Sequence, residues 1–254
     1  MRFRLYAEVL LLGLLLSLCP SAFSQDAMHL FHKMQDALGG ADKIAAINDF
    51  EESVRANAWD QSGNSMGVVR KRVRFIRPSH LRLDQVGQRD SYVLYFDGTS
   101  GWEILPDGTV ADLKDGELTF ARNYLYGFNL NIWLADRDPR YAIESPAPNV
   151  VTIVAKDDSW PGMEITLDPA TFLPIKTAGI SHADPAHPVT SATRLERWHE
   201  VAGVKFPEVT TSFHNGTKVA EIIVEETKVN RVLKTADLSA KPKDLKPVMS
   251  LVAR

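Results

Sequence analysis

Apolar and polar positions alternate along this chain in two rhythms. Across residues 26–47, Ala27, Leu30, Phe31, Met34 and Leu38 recur at three- and four-residue steps, the spacing of one helix face. Gly39-Gly40 interrupts the run and Ala41 to Ile47 resumes it, so two short amphipathic helices are expected. After Asn48 the period falls to two. Val69, Val73 and Phe75 alternate with Arg70, Arg72 and Arg74, Leu81 and Leu83 alternate with Arg82 and Asp84, and Tyr92 to Phe96 follows suit. One apolar and one charged face mark antiparallel strands with one wet side.

Turn residues separate these strands at Gln61-Ser62-Gly63-Asn64, Pro78-Ser79 and Gly87-Gln88. The stretch YFDGTSGWEILPDG, residues 95–108, holds two such signals, Asp97-Gly98 and Pro106-Asp107-Gly108, around Gly101-Trp102-Glu103-Ile104-Leu105. Five residues are too few for a helix, so Trp102 is expected on a strand, packed on a sheet face.

Residues 117–136 break the meander. Leu118, Ala121, Leu125, Phe128 and Ile132 keep a helical step, but Phe120, Tyr124, Tyr126, Leu130 and Trp133 leave little of the circumference polar. Such a segment is either plain core or a lid over a cavity. Strands resume over residues 150–155, 163–168, 173–180, 189–201, 204–214 and 218–230, and His214-Asn215-Gly216 is a strong hairpin signal. Long strands with short turns predict a mainly β (α+β) fold built on a large curved antiparallel sheet. From Leu238 onward, Lys241-Pro242-Lys243 and Lys246-Pro247 read as a surface tail.

The first residues have another purpose. Arg2 and Arg4 precede about ten apolar positions, too few to span a bilayer, and Ala22-x-Ser24 follows, so residues 1–24 are expected to be a secretory signal cleaved after Ser24. Cys19, the sole cysteine, has a second reading as a lipid attachment site, though a lipoprotein signal wants a small residue where Leu18 stands. Cleavage after Ser24 leaves no cysteine, and the fold then rests on its core. A hydrophobic fraction of 44% supports such a core, and a net charge of -3 lacks the basic excess that nucleic acid demands. The expected organisation is a domain over residues 25–238 and a tail over 239–254.

Chemistry is hard to find. His29 and His32 stand three apart on the first helix without a third ligand at matching spacing. His182-Ala183-Asp184-Pro185-Ala186-His187 offers two imidazoles and a carboxylate, but its prolines read as a solvent loop. There is no Gly-x-Ser-x-Gly, phosphate loop or His-Glu-x-x-His. Asp157-Asp158 and Glu225-Glu226 are sequence neighbours, which on a strand point to opposite faces. Arg70, Arg72 and Arg74 suit an anion, or equally a solvated face. No catalytic residue, metal site or cofactor is expected.

The order of four hairpin motifs carries a resemblance. They are Leu38-Gly39-Gly40-Ala41-Asp42-Lys43-Ile44, Tyr95-Phe96-Asp97-Gly98-x-x-Gly101-Trp102, Leu167-Asp168-Pro169-x-Thr171-x-Leu173-Pro174 and Trp198-His199-Glu200-Val201-x-Gly203-Val204-Lys205-x-Pro207. Together they resemble the outer-membrane lipoprotein-sorting superfamily, the LolA/LolB-like periplasmic proteins. The resemblance implies an unclosed half-barrel with covering helices, and lipid or lipoprotein acyl chains in its cavity. It points to a periplasmic, monomeric, non-enzymatic carrier or sensor. The alternatives are an envelope protein-interaction or regulatory module without bound lipid and, further off, a lipid- or glycan-acting hydrolase. Trp102, Phe120, Tyr124, Phe128 and Trp133 are the residues expected to line or cover the cavity.

Protein isolated from its host envelope is expected to begin at Gln25 and to stay soluble once the outer membrane is removed. N-terminal mass mapping checks this; intact Met1 or a lipidated Cys19 contradicts it.

Overall fold

The computed structural model describes residues 20–86, 91–105, 107–157, 162–181 and 189–241. The signal's apolar run, Cys19, the turn at Gly87-Gln88, the segment from His182 to His187 and the prolines of the tail lie outside them. The two expected helices are present, α1 at Pro20–Ala37 and α2 at Ala41–Ala45, so α1 runs through the expected cleavage point. They break at Gly39 and Gly40, with φ of 119° and 103°. A Cβ on Gly39 would lie 2.0 Å from the carbonyl oxygen of Gly203, so only glycine lets this turn meet a distant hairpin there.

Strands β1 (Asp49–Trp59), β2 (Ser65–Ile76), β3 (His80–Val86), β4 (Ser91–Phe96), β5 (Gly101–Ile104) and β6 (Val110–Asp112) form the first meander. Trp102 stands on β5 between two turns, as the sequence implied. The helical segment follows, split at Gly127 into α3 (Asp115–Tyr126) and α4 (Asn129–Ile132), with a 3-10 turn at Ala135–Arg137. The second meander is β7 (Tyr141–Ala147), β8 (Val150–Ala155), β9 (Met163–Leu167), β10 (Pro174–Ser181), β11 (Val189–Val201), β12 (Val204–His214) and β13 (Thr217–Val229). Strand β7 is absent from the sequence reading because Pro146 and polar neighbours mask it. It is an edge strand, where a missing N–H is tolerated.

All thirteen strands of the described residues join one antiparallel sheet in the order β6-β5-β4-β3-β2-β1-β13-β12-β11-β10-β9-β8-β7. The first and last strands pair, Phe50 opposite Val229 and Glu52 opposite Thr227. The free edges are therefore β6 and β7, consecutive in the chain, and the segment holding α3 and α4 bridges them. The sheet does not close. It is an unclosed half-barrel with its main core on the inner face, where α1, α2, α3 and α4 also lie.

The outer face carries the charged rows. Arg72 pairs with Glu51 at 2.7 Å, Arg82 with Asp84 at 3.1 Å, and Arg74 with Asp84 as well. It is not wholly wet. A short C-terminal helix, α5 (Thr235–Ser239), lies on it, and Leu238 buries with Val93, Tyr95, Trp102 and Ile104 in a second apolar cluster. Arg82 donates to the carbonyls of Leu238 and Ala240, and the Trp102 indole N–H to that of Ser239 at 3.0 Å. Upstream, the Asp49 carboxylate accepts from the backbone N–H groups of Arg231, Val232 and Leu233 and so leads the chain onto this face. The expected boundary at 238 thus falls inside α5, and the surface tail does not begin at Leu238.

Trp102 is 4% exposed. Trp102→Ala is expected to cost about 3–5 kcal/mol, read as a lowered urea midpoint, because it empties the space under α5. Ligand capture by the folded fraction should be unaffected, since this cluster faces away from the main core.

Candidate functional site

Register fixes what the inner face presents, because directly opposed residues share a face. The first inner row is Phe50, Phe75, Leu81 and Phe96 across β1 to β4. The second is Glu52, Val73, Leu83 and Leu94, with Thr227 on β13 at one end and Glu103 on β5 at the other. The third is Val54, Lys71, Gln85 and Tyr92. Every member of the first row belongs to the main core cluster, and Phe128 seals it with ring centroids 5.2 Å from Phe50 and 5.6 Å from Phe75. At the third row dry packing stops. A cavity of about 460 Å³ opens there, lined by Lys71, Leu83, Gln85 and Tyr92 from the sheet and by Gly116, Glu117, Phe120 and Tyr124 from α3.

The five residues expected at the cavity divide three ways. Phe120, 48% exposed, and Tyr124 line it, with ring centroids 6.2 Å apart. Phe128 and Trp133 belong to the packed interior; Trp133 is 1% exposed and lies against Phe206 and Trp198. Trp102 is on the opposite face of the sheet. Within residues 117–136, α3 borders the cavity, while α4 and the turn after it are core. Sequence reasoning missed Lys71, Gln85 and Tyr92. Alternation could have flagged Lys71, which falls on the parity of Val69, Val73 and Phe75 and not of the arginines.

Arg77, just past β2, holds the covering helices down. It donates to the carbonyls of Ile44, Ile47 and Leu130 at 3.2, 2.9 and 3.1 Å, and to Asn131 Oδ1 at 3.4 Å. It thereby ties α2 and α4 to the end of the sheet, while α3 extends over the third row.

Polar groups gather where the core meets the cavity. Glu52 keeps some contact with water, yet protein encloses it on most sides. Burial pushes its carboxyl up to about 7, against a smaller lowering by the Thr227 hydroxyl, which donates to Glu52 Oε1 at 3.4 Å. The same hydroxyl meets His199 Nε2 at 3.0 Å. Among the described residues His199 Nδ1 is buried without a hydrogen-bond partner, and burial holds the imidazole below its ordinary value. The Tyr124 phenol is pushed up by burial and then by the Glu52 charge, so it stays a donor at neutral pH. Tyr92 is raised by burial and by its hydrogen bond to Glu103. This set can hold and exchange protons, and the hydroxyl that stands against His199, that of Thr227, is not held by the imidazole alone. It is shared with an acid as well.

Among the described residues no three His, Cys, Asp or Glu side chains cluster as metal ligands. His32 meets Asp136 at 3.4 Å. No described helix is long and apolar enough to cross a membrane.

No protein-family model matches the chain, and no curated protein matches it. Solved structures share its fold. A candidate outer membrane lipoprotein-sorting protein domain from Vibrio parahaemolyticus superposes with a TM-score of 0.55 at 9% identity, over 91% of this chain and 100% of that one. A LolA superfamily protein from Nitrosomonas europaea gives 0.56 at 13% identity, over 85% and 97%. A DUF1329 family protein from Desulfovibrio piger gives 0.55 at 12%, over 84% and 96%. The fold is LolA-like, as the hairpin motifs implied.

Glu52 makes stability depend on pH. Its folded value of about 7 lies above the ordinary 4.5, so the folded state binds this proton more tightly than the unfolded one. The group's contribution is whole below pH 4.5 and is lost as pH rises to about 7. The loss is on the order of 3 kcal/mol. Glu52→Gln, which cannot ionise, should therefore show a flatter thermal midpoint between pH 5 and pH 8. It should exceed its parent at pH 8; parallel profiles would contradict this.

Proposed function

We propose that this protein is a periplasmic, non-enzymatic carrier or sensor that holds the hydrocarbon of an amphiphile between its third inner row and α3. The observation that supports it is the cavity itself. At about 460 Å³ it falls within the range of small-molecule sites, and Phe120 stands exposed at its border. Hydrocarbon needs little specific chemistry. About ten methylenes at ~0.8 kcal/mol each supply ~8 kcal/mol, near micromolar affinity before the costs of association.

Two further facts favour this reading. Two of the structures that share this fold are a candidate outer membrane lipoprotein-sorting protein domain and a LolA superfamily protein. The charged and apolar start of the chain has the pattern of an export signal. Lipid or lipoprotein acyl chains are accordingly the ligands proposed, bound by a monomer.

Native mass spectrometry of gently purified protein tests the carrier directly, since it should bring lipid with it. A paired substitution locates the site. Phe120→Glu adds a carboxylate at a half-exposed border and should cost under about 1 kcal/mol, while capture of a fluorescent fatty acid falls at least about tenfold. Phe128→Glu buries its carboxylate against Phe50 and Phe75 and should cost several kcal/mol in thermal stability. A parent that brings no lipid and binds no fluorescent fatty acid would instead favour an envelope interaction module.

A further inference from the structure

Lys71 differs from every arginine around it. Arg70 pairs with Glu225 at 3.2 Å and Arg72 with Glu51 at 2.7 Å, both on the outer face. Lys71, between them in sequence, points inward and lines the cavity. It has neither hydrogen bond nor ion pair among the described residues, and burial alone holds its ammonium below the ordinary lysine value. An enclosed cation without a partner is costly, and the fold has the means to supply one: Glu52 is its diagonal neighbour on the same face, yet that carboxyl turns to Thr227. The register then continues the polar row. Lys71 stands opposite Gln85, and Gln85 opposite Tyr92, so an ammonium and an amide lie side by side, with the Tyr124 phenol bordering the same space.

We propose that Lys71 is the head-group site of this cavity, its ammonium receiving the carboxylate of a long-chain amphiphile whose hydrocarbon runs along Leu83, Tyr92, Phe120 and Tyr124. The inference rests on reading the cavity as a ligand site and adds to it the class of ligand. A single ammonium balances a single negative charge. Glu117 lines the same cavity and Glu52 sits one row deeper, so a head group of higher charge, such as a phosphate monoester, meets repulsion that a carboxylate largely escapes. The Gln85 amide and the Tyr124 hydroxyl can donate to a carboxylate that already faces the ammonium.

Calorimetric titration of the parent, Lys71→Met and Lys71→Arg with dodecanoate, dodecan-1-ol and dodecyl phosphate tests this. The parent should bind dodecanoate at least about tenfold more tightly than dodecan-1-ol, the scale of a hydrogen bond to a charged group. In Lys71→Met the two affinities should converge, with the loss on dodecanoate alone, while Lys71→Arg keeps the preference. The thermal midpoint of unliganded Lys71→Met should equal or exceed the parent's, because an unpaired enclosed charge has been removed, and this shows that the variant folds. Equal binding of acid and alcohol by the parent overturns the head-group site and leaves the carrier reading standing, as does a preference that survives in Lys71→Met. Tighter binding of dodecyl phosphate than of dodecanoate overturns the choice of carboxylate. If none of the three binds the parent, the carrier reading fails, and this inference with it.

Discussion

The pairing of β1 with β13 is the constraint from which the rest of the architecture follows. Without it the chain would be two separate meanders, each with two edges. With Phe50 opposite Val229 and Glu52 opposite Thr227, they become one sheet whose edges, among the described residues, are β6 and β7. Those strands are consecutive in the chain, so whatever joins them must cross the open side of the sheet. That is why the aromatic segment, and not some other helix, borders the cavity: topology carries it there. The contact joins the first described strand to the last, so its loop-closure cost is high.

Given one sheet, its depth is partitioned row by row. Phe50, Phe75, Leu81 and Phe96 are large and apolar, and Phe128 closes over them. Four residues further along each strand the row holds Lys71, Gln85 and Tyr92, which cannot pack dry against an apolar helix without leaving polar groups unsatisfied. The cavity is therefore encoded in the strands as a change from apolar to polar at a single register position. Alpha-3 has only to be held over it, and Arg77 does so indirectly by fixing α2 and α4, whose carbonyls it gathers.

Much of this was legible in the sequence, and the parts that were not share a cause. Period-two alternation located most strands, and Asp-Gly and Asn-Gly pairs placed their turns; the carboxylate of Asp97, for example, accepts from the N–H groups of Thr99 and Ser100. Such signals are local. Which face of β5 turns inward is not, and Trp102 was assigned to the cavity although it packs beneath α5 on the other side. Phe128 and Trp133 were grouped with Phe120 and Tyr124 for being aromatic and near in sequence, but the break at Gly127 sends them to different neighbours. Lys71 is hidden in sequence between Arg70 and Arg72, which draw the eye as the charged face. Its meaning appears only when β2 is set against β3.

That last point bears on how function persists in this fold. Structures at 9–13% identity to this chain keep its architecture, so the fold tolerates replacement of most of its residues. What it requires is a pattern: apolar residues inward at one end of the sheet, turns where strands reverse, and a first strand that pairs with the last. Within the inner row at the cavity, Val54 is buried and Tyr92 packs partly against the core, whereas Lys71 and Gln85 fall outside that apolar pattern. On the proposed reading of the cavity as a ligand site, selectivity in this half-barrel rests on inward-facing positions at the margin of the core, which here hold a lysine, a glutamine and a tyrosine.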